Sequence, residues 1–385
     1  MTKKTYDFAI IGAGVFGAWT AHFLRQSGAS IALLDAYGPA NSRASSGGET
    51  RVIRMGYGPD ELYTRWAMRS LPLWSEFAAR SGQEIFRQTG VLWLSTHEDA
   101  YLKSLCNVLG QAGVERKELK AEEIARHWPQ LHFHDVTWGV LEPASGLLLA
   151  RNAVQSLVRE LVEEGVDYIP FAANAPTGSG RLTAIQSSGG ESISAGTFVF
   201  CCGPWSPKIF PELLGERIFP TRQEVFFLGA PAGSEDFRPP RMPVWLHRTH
   251  ADLPYALPDI EERGFKIAFD RHGERFDPDT GMRVVAQSSI DHLRGYLRRH
   301  IPSLEHAPVL ETRVCQYENT WNGDFLIDRH PELENVWIAG GGSGHGFKHG
   351  PALGEYLSER ILHNAPSEPR FSLSEKRTAQ NRTVY

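Results

Sequence analysis

The stretch that decides the fold is Tyr6 to Asp35, YDFAIIGAGVFGAWTAHFLRQSGASIALLD. An apolar run, Phe8 to Ile11, leads into the glycine loop Gly12-Ala13-Gly14-Val15-Phe16-Gly17. A helix-like segment follows to about Gly28, then a second apolar run, Ile31 to Leu34, and an acid, Asp35. Gly12 allows the tight turn out of the strand, Gly14 leaves the backbone open to a pyrophosphate, and Gly17 lets the helix pack close to the strand. The helix N-terminus offers free N–H groups and the positive end of a dipole. Asp35, about twenty residues on, is placed to accept hydrogen bonds from a ribose hydroxyl. Strand, loop, helix, strand and acid together predict a dinucleotide site. Glycines serving packing alone would leave the acid unexplained. Phe8 to Leu24 is uncharged and follows Lys3 and Lys4, as in a signal peptide. Asp7 interrupts that basic-to-apolar step, however, and no small-residue cleavage site follows. The run is also short for a membrane span.

The totals are those of an ordinary globular chain. Its 385 residues suffice for two domains or one elaborate one, with 41% hydrophobic and 22% charged residues. A formal net charge of −5 gives no bulk attraction to nucleic acid or an anionic membrane, so neither is expected as a partner. Cys106, Cys201, Cys202 and Cys315 are too few and too scattered for a disulfide framework or a zinc site, which fits a reducing cytoplasm. Thr383-Val384-Tyr385 is no targeting tripeptide, and the polar tail after Pro366 is expected to be loosely held.

After Asp35, the small polar stretch Gly38 to Thr50 reads as a loop ending in a dense group: Thr50, Arg51, Arg54 and Tyr57. The spacing of the two arginines puts them on one side of a helical turn, as a ligand site or as a solvated charged face. Glu61 to Phe77 reads as an amphipathic helix, Phe86 to Ser95 as one strand, and Tyr101 to Gly110 as a helix. His127, His132 and His134 sit among a proline and aromatics, which predicts a surface-packed loop and no metal. Arg151 to Gly165 reads as a helix, with a short strand at Val166 to Ile169. Gly189-Gly190 marks a hairpin, and Thr197 to Cys202 a buried parallel strand, with Cys201 and Cys202 as core. From Phe219 to Val314, strand-like runs alternate with polar turns, and Ser289 to His300 reads as a helix. Val336 to Ala339 then enters Gly340-Gly341-Gly342-Ser343-Gly344-His345-Gly346-Phe347-Lys348 and a helix, Pro351 to His363, a second strand–glycine–helix unit. Its serine is no hydrolase nucleophile, because His345 stands where that motif needs glycine.

These segments resemble the monomeric sarcosine oxidase family of FAD-dependent amine oxidases, which includes N-methyltryptophan and pipecolate oxidases. The resemblance rests on GAGVFG, TRVIRMGY, QTGVLWLS, EPASGLL, the lysine in GFKIAF, VCQY and SGHGFKHGPALGE, and spans nearly the whole chain. It implies an α/β fold: a discontinuous Rossmann-like FAD-binding domain (1–85, 150–218 and 315–385) with an inserted antiparallel-sheet substrate domain (86–149 and 219–314). Cys315 matches the cysteine such enzymes link to the flavin ring, so covalent FAD is implied. Arg54 and Lys348 match the pair that holds the substrate carboxylate by charge-assisted hydrogen bonds. Lys266 matches the lysine that assists reaction of the reduced flavin with oxygen, and Arg51 an arginine beside the flavin ring. Tyr255 and Tyr317 match aromatics of the amine pocket, and Trp245 or Leu246 falls near its loop methionine. Gly344 and His345 match the loop touching flavin and substrate, with His345 placed at the chemistry. Further cofactor contacts are implied for Gly12, Gly14, Val15, Phe16, Gly17, Asp35, Arg43, Ser45, Thr50, Gly346, Phe347 and Lys348.

The implied reaction takes a secondary amino acid and O2, with no metal. The neutral amine gives up a hydride equivalent from the carbon next to nitrogen, the imine hydrolyses, and reoxidation yields hydrogen peroxide. Three departures stand out: Asp270 replaces a histidine four residues after the lysine and Trp245 or Leu246 falls near the loop methionine, and a negative Asp270 or a bulky Trp245 would bear on the amine accepted; Ser45-Ser46-Gly47-Gly48-Glu49 replaces a segment with a histidine that touches flavin. Sarcosine, a larger N-methyl amino acid and a cyclic one therefore all stay open. A dehydrogenase with another electron acceptor and a flavoprotein without turnover are the rival readings. Retention of Arg54, Lys266, Cys315 and Lys348 together argues against the last. A cytoplasmic monomer is expected.

Overall fold

The structure, a computed structural model, describes residues 4–96, 99–249 and 252–382. Thr383-Val384-Tyr385 lies outside the described residues. Among these, seven strands form the first sheet, in the order Leu326–Arg329, Val336–Gly340, Ser192–Phe200, Thr5–Ile11, Ile31–Asp35, Asp167–Pro170, with Ala184–Gln186 folded back on Ser192–Phe200. The pairings from Val336–Gly340 to Asp167–Pro170 are parallel. Ile10, Ile11, Ala32, Leu33, Phe198 and Val199 are buried, as expected of strands covered on both faces. Helix Val15–Gln26 packs on Gly350–His363, so the two strand–glycine–helix units lie side by side.

The second sheet has eight described strands: Val309–Thr320, Ile218–Leu228, Phe265–Phe269, Pro254–Leu257, Val244–Arg248, Val91–Ser95, Trp138–Glu142 and Lys117–Lys120. Neighbours are antiparallel except Val244–Arg248 beside Val91–Ser95, which is parallel. Side chains alternate across it. Phe226, Trp245, Phe265 and Ile267 form a core with Leu293, Tyr296 and Leu297 of helix Gln287–His300. Val225, Phe227, Tyr255 and Ala268 lie on the opposite face. A three-stranded sheet, Thr50–Ile53, Gly146–Leu149 and Phe86–Gln88, completes the described strands.

Four expectations need correction. Phe86 to Ser95 is two strands in different sheets; Gly90 (φ +73°) breaks it, its N–H donating to Ser145 O at 2.9 Å. Arg51 lies in strand Thr50–Ile53 and Arg54 just after it, where no helical turn exists. Position 315 falls inside strand Val309–Thr320, which pairs with Ile218–Leu228 on both sides of that point, so no boundary cuts there. The tail is anchored: Phe371 is fully buried, and Arg370 pairs with Asp60 and Asp324 at 2.6 Å each. His127 ends helix Ala121–His127, and His132 N donates to His300 O at 2.8 Å. Among the described residues, no helix is long and apolar enough to cross a membrane.

Candidate active site

The glycine loop has the close packing and the open edge that its spacing predicts. A Cβ on Gly17 would stand 1.9 Å from Gly12 O, and one on Gly12 2.2 Å from Cys201 O, so both glycines are close-packing positions. A Cβ on Gly14 would meet Ser46 Oγ alone, at 3.5 Å, because Gly14 faces a cavity. No side chain caps the following helix, leaving its first N–H groups to a ligand, save that Val15 N donates to Ser46 Oγ at 3.1 Å. The Asp35 carboxylate accepts from Ala13 N, Tyr37 N and Gly38 N, each at 2.8 Å, and borders the same cavity. It therefore fixes the loop from the edge of the cavity.

The cavity, about 330 Å3, runs from Gly14 and Asp35 past Ser45, Arg51 and Cys315 to Tyr317, Gly344, Gly346 and Phe347. Its size suits a small-molecule site. The Phe347 ring stacks on Trp74 with centroids 5.7 Å apart. At the far end Arg51 reaches Ser45 O (2.9 Å), Thr50 O (3.0 Å) and Cys315 Sγ (3.4 Å). Lys266 Nζ donates to Thr50 O at 2.7 Å. Burial, reinforced by the positive Arg51, pushes Lys266 well below the usual lysine range. Lys266, Arg43, Arg51 and Cys315 together border a small recess beside the main cavity. Ser45 Oγ donates to Gln316 O at 2.9 Å, tying the loop to the cysteine strand.

Arg54 and Lys348 are both buried and both lie against Tyr57, 4.3 and 5.2 Å from its ring centroid. The Arg54 guanidinium also faces Trp93 at 4.7 Å and donates to Gly56 O. Lys348 Nζ donates to Tyr57 Oη (2.9 Å) and His345 O (3.2 Å). Tyr57 Oη stands 2.7 Å from His349 Nε2 and 3.3 Å from His345 Nδ1, while His345 Nε2 is 3.0 Å from Gly323 O. Burial, with Arg54 beside it, holds Lys348 well below its ordinary range; burial and Lys348 do the same to both histidines. Tyr317 Oη donates to Asp270 Oδ1 at 2.9 Å. Burial and Asp270 raise Tyr255 to about 12 and Tyr317 well above the usual range.

Trp245 does not belong to this group. It sits in the core on the opposite face of its strand, against Phe133, Phe265 and Tyr296, while Leu246 points to the site side. Four residues near the site had no role in the sequence reading. Tyr57 and His349 stand inside the motifs TRVIRMGY and SGHGFKHGPALGE, which was their signal. Glu142 accepts from Met55 N (2.7 Å) and Trp93 Nε1 (2.8 Å) beneath Arg54. Glu318, raised to about 7 by burial and eased by a hydrogen bond from Ser206, lines the cavity.

The open cradle at Gly14, the uncapped helix and the cavity reaching Cys315 suit an extended dinucleotide. The FAD dependent oxidoreductase family matches residues 7–360. The chain is 29% identical over 375 residues to the monomeric sarcosine oxidase of Bacillus sp. (strain B-0618), covering 93% of this chain and 92% of that one. It is 28% identical to the N-methyl-L-tryptophan oxidase of Salmonella arizonae, covering 94% and 96%. The fold superposes on L-proline dehydrogenase from P. horikoshii with a TM-score of 0.83 at 21% identity, over 96% of this chain and 97% of that one. With a cavity built for a dinucleotide and a match over nearly its whole length, the chain belongs to the FAD dependent oxidoreductase family and is an FAD-dependent oxidoreductase.

Proposed function

We propose that the protein oxidises secondary amino acids of the N-methyl class, with O2 as acceptor and hydrogen peroxide as product. The observation that carries this reading is the pair Arg54 and Lys348: two buried basic side chains against one tyrosine ring. A carboxylate between them gains charge-assisted hydrogen bonds in a place with little water. Tyr255 and Tyr317 would flank the amine, and His345 would order the loop beside it. FAD, held covalently through Cys315, supplies the hydride acceptor; Arg51 lies 3.4 Å from that sulfur and would steady the ring. Lys266, hydrogen-bonded to Thr50 O, would stand where oxygen reacts, its charge favoured by the anion that forms there. Gly14, Asp35 and the helix at Val15 would hold the adenine half. Asp270 on Tyr317 adds an acid to the pocket, so a larger N-methyl or cyclic amino acid fits the reading as well as sarcosine. The protein would work as a cytoplasmic monomer, with the Rossmann-like layer and the eight-stranded layer as its two domains.

The test is a peroxide-release and anaerobic bleaching screen over sarcosine, N-methyltryptophan, pipecolate, proline and fructosyl amino acids. Acid precipitation of the same sample should leave the yellow colour in the pellet, and Cys315→Ala should release it. Bleaching with good dye reduction but little peroxide would favour a dehydrogenase. No bleaching by any amine would end the amine reading.

A further inference from the structure

A secondary amino acid arrives as a zwitterion, yet its nitrogen must be neutral before it gives up a hydride equivalent. We infer that Lys348 is the base that takes this proton, positioned for the task by Tyr57 and His349. The inference rests on the carboxylate reading of Arg54 and Lys348.

The geometry is that of an ammonium site one acceptor short. Lys348 Nζ has Tyr57 Oη at 2.9 Å and His345 O at 3.2 Å; no third acceptor is present among the described residues. A protonated Nζ carries three N–H groups. A bound carboxylate supplies the missing acceptor. Tyr57 Oη is in turn fixed 2.7 Å from His349 Nε2, while His349 Nδ1 is buried without a partner. That second nitrogen makes His349 a poor place to leave a charge, since a buried N–H⁺ without an acceptor is costly. His349 therefore orients Tyr57, and the proton stays on Lys348.

The charges around Nζ fit a lysine that is neutral until substrate enters. Arg54 opposes its charging, and His345 and His349, held neutral by burial, add none. Glu142 and Asp270 favour the charge, but Glu142 is engaged by Met55 N and Trp93 Nε1, and Asp270 by Tyr317 Oη and Arg382. Tyr101 and Asp60 face Tyr57, whose hydroxyl burial keeps protonated. When the zwitterion binds, one N–H bond of its ammonium breaks and one Nζ–H bond forms. The electron pair stays on the amine, the new lysinium faces the carboxylate, and the net charge of the pocket plus substrate is unchanged.

Two measurements on the full-length flavoprotein test this. Calorimetry of propanoate binding at pH 8, in buffers of different ionisation enthalpy, should show uptake of about one proton per ligand, because this carboxylate brings none of its own. Lys348→Arg should still bind propanoate but take up no proton, since a guanidinium is already charged. In stopped-flow under nitrogen with saturating amino acid, the wild-type bleaching rate should be flat between pH 7 and 9. Lys348→Arg and Tyr57→Phe should make it rise by up to about tenfold per pH unit. His349→Phe should share that slope and His349→Gln, which can still hold Tyr57, should lose it. No proton uptake by the wild type, or variants slowed equally at every pH, would overturn the inference. Arg54→Ala with unchanged propanoate affinity would instead fault the carboxylate reading beneath it.

Discussion

At the residue scale, buried lysines are the dominant feature of the site. Lys266 is 3% exposed, and its Nζ satisfies Thr50 O. Folding therefore costs free energy at neutral pH: the unfolded chain keeps this lysine protonated, whereas the folded state disfavours the charge. The sign follows from linkage. Between the lowered folded value and the ordinary lysine value of 10.5 the unfolded state binds more protons, so this site's cost shrinks as pH rises toward 10.5. Lys266→Met should therefore raise the melting temperature at pH 7, with the gain shrinking toward pH 10. The same variant should slow reoxidation by oxygen far more than anaerobic bleaching. Melts at the two pH values and stopped-flow traces check both; lower stability at pH 7 would contradict the burial cost.

At the element scale, the glycine loop separates two roles that sequence spacing runs together. Gly17→Ala places a Cβ 1.9 Å from Gly12 O and should destabilise by about 1–3 kcal/mol or more. Gly14 has φ −75° and ψ −177°, which alanine adopts freely, and only Ser46 Oγ at 3.5 Å nearby. Gly14→Ala should leave the fold intact, or stabilise the flavin-free chain by about 0.4–1 kcal/mol, while weakening FAD binding. Denaturation curves and flavin occupancy on purification separate the two. Equal loss of stability in both variants would mean that Gly14 also packs. The stretch Phe86 to Ser95 teaches the converse lesson: it reads as one element, and only the turn at Gly90 assigns its halves to different sheets.

At the scale of the whole molecule, the C-terminal segment closes a layer that helix Glu61–Ser81 leaves open. Phe371 packs on Trp66 (4.9 Å between ring centroids) and Phe325 (5.8 Å), and Arg370 joins Asp60 to Asp324. Phe371→Ala should cost about 3–5 kcal/mol, the range for a buried phenylalanine, measured by urea unfolding. A loss below about 1 kcal/mol would return the tail to the loosely held state its polarity suggests. The charged residues of that segment read as solvent-facing because their partners, Asp60 and Asp324, lie far away in sequence.

The local chemistry of this protein is legible in its residues. Apolar runs next to glycines define the nucleotide strands, and the alternation of Phe265, Ile267 and Phe269 with Lys266 and Ala268 shows that a strand has two unlike faces. Asp35 and Gly14 act within a few residues of their own turn, so spacing suffices for them. What only the tertiary structure decided is which face meets which. Period-two alternation is symmetric: it separates Trp245 from Leu246 but cannot say which one faces the site, and the packing of helix Gln287–His300 on one side settles it. Likewise, Arg51 beside Cys315 and Tyr57 beside Lys348 and His349 join residues 264 to 292 positions apart. No local rule carries that information, because the pairing comes from how two sheets and a loop pack together.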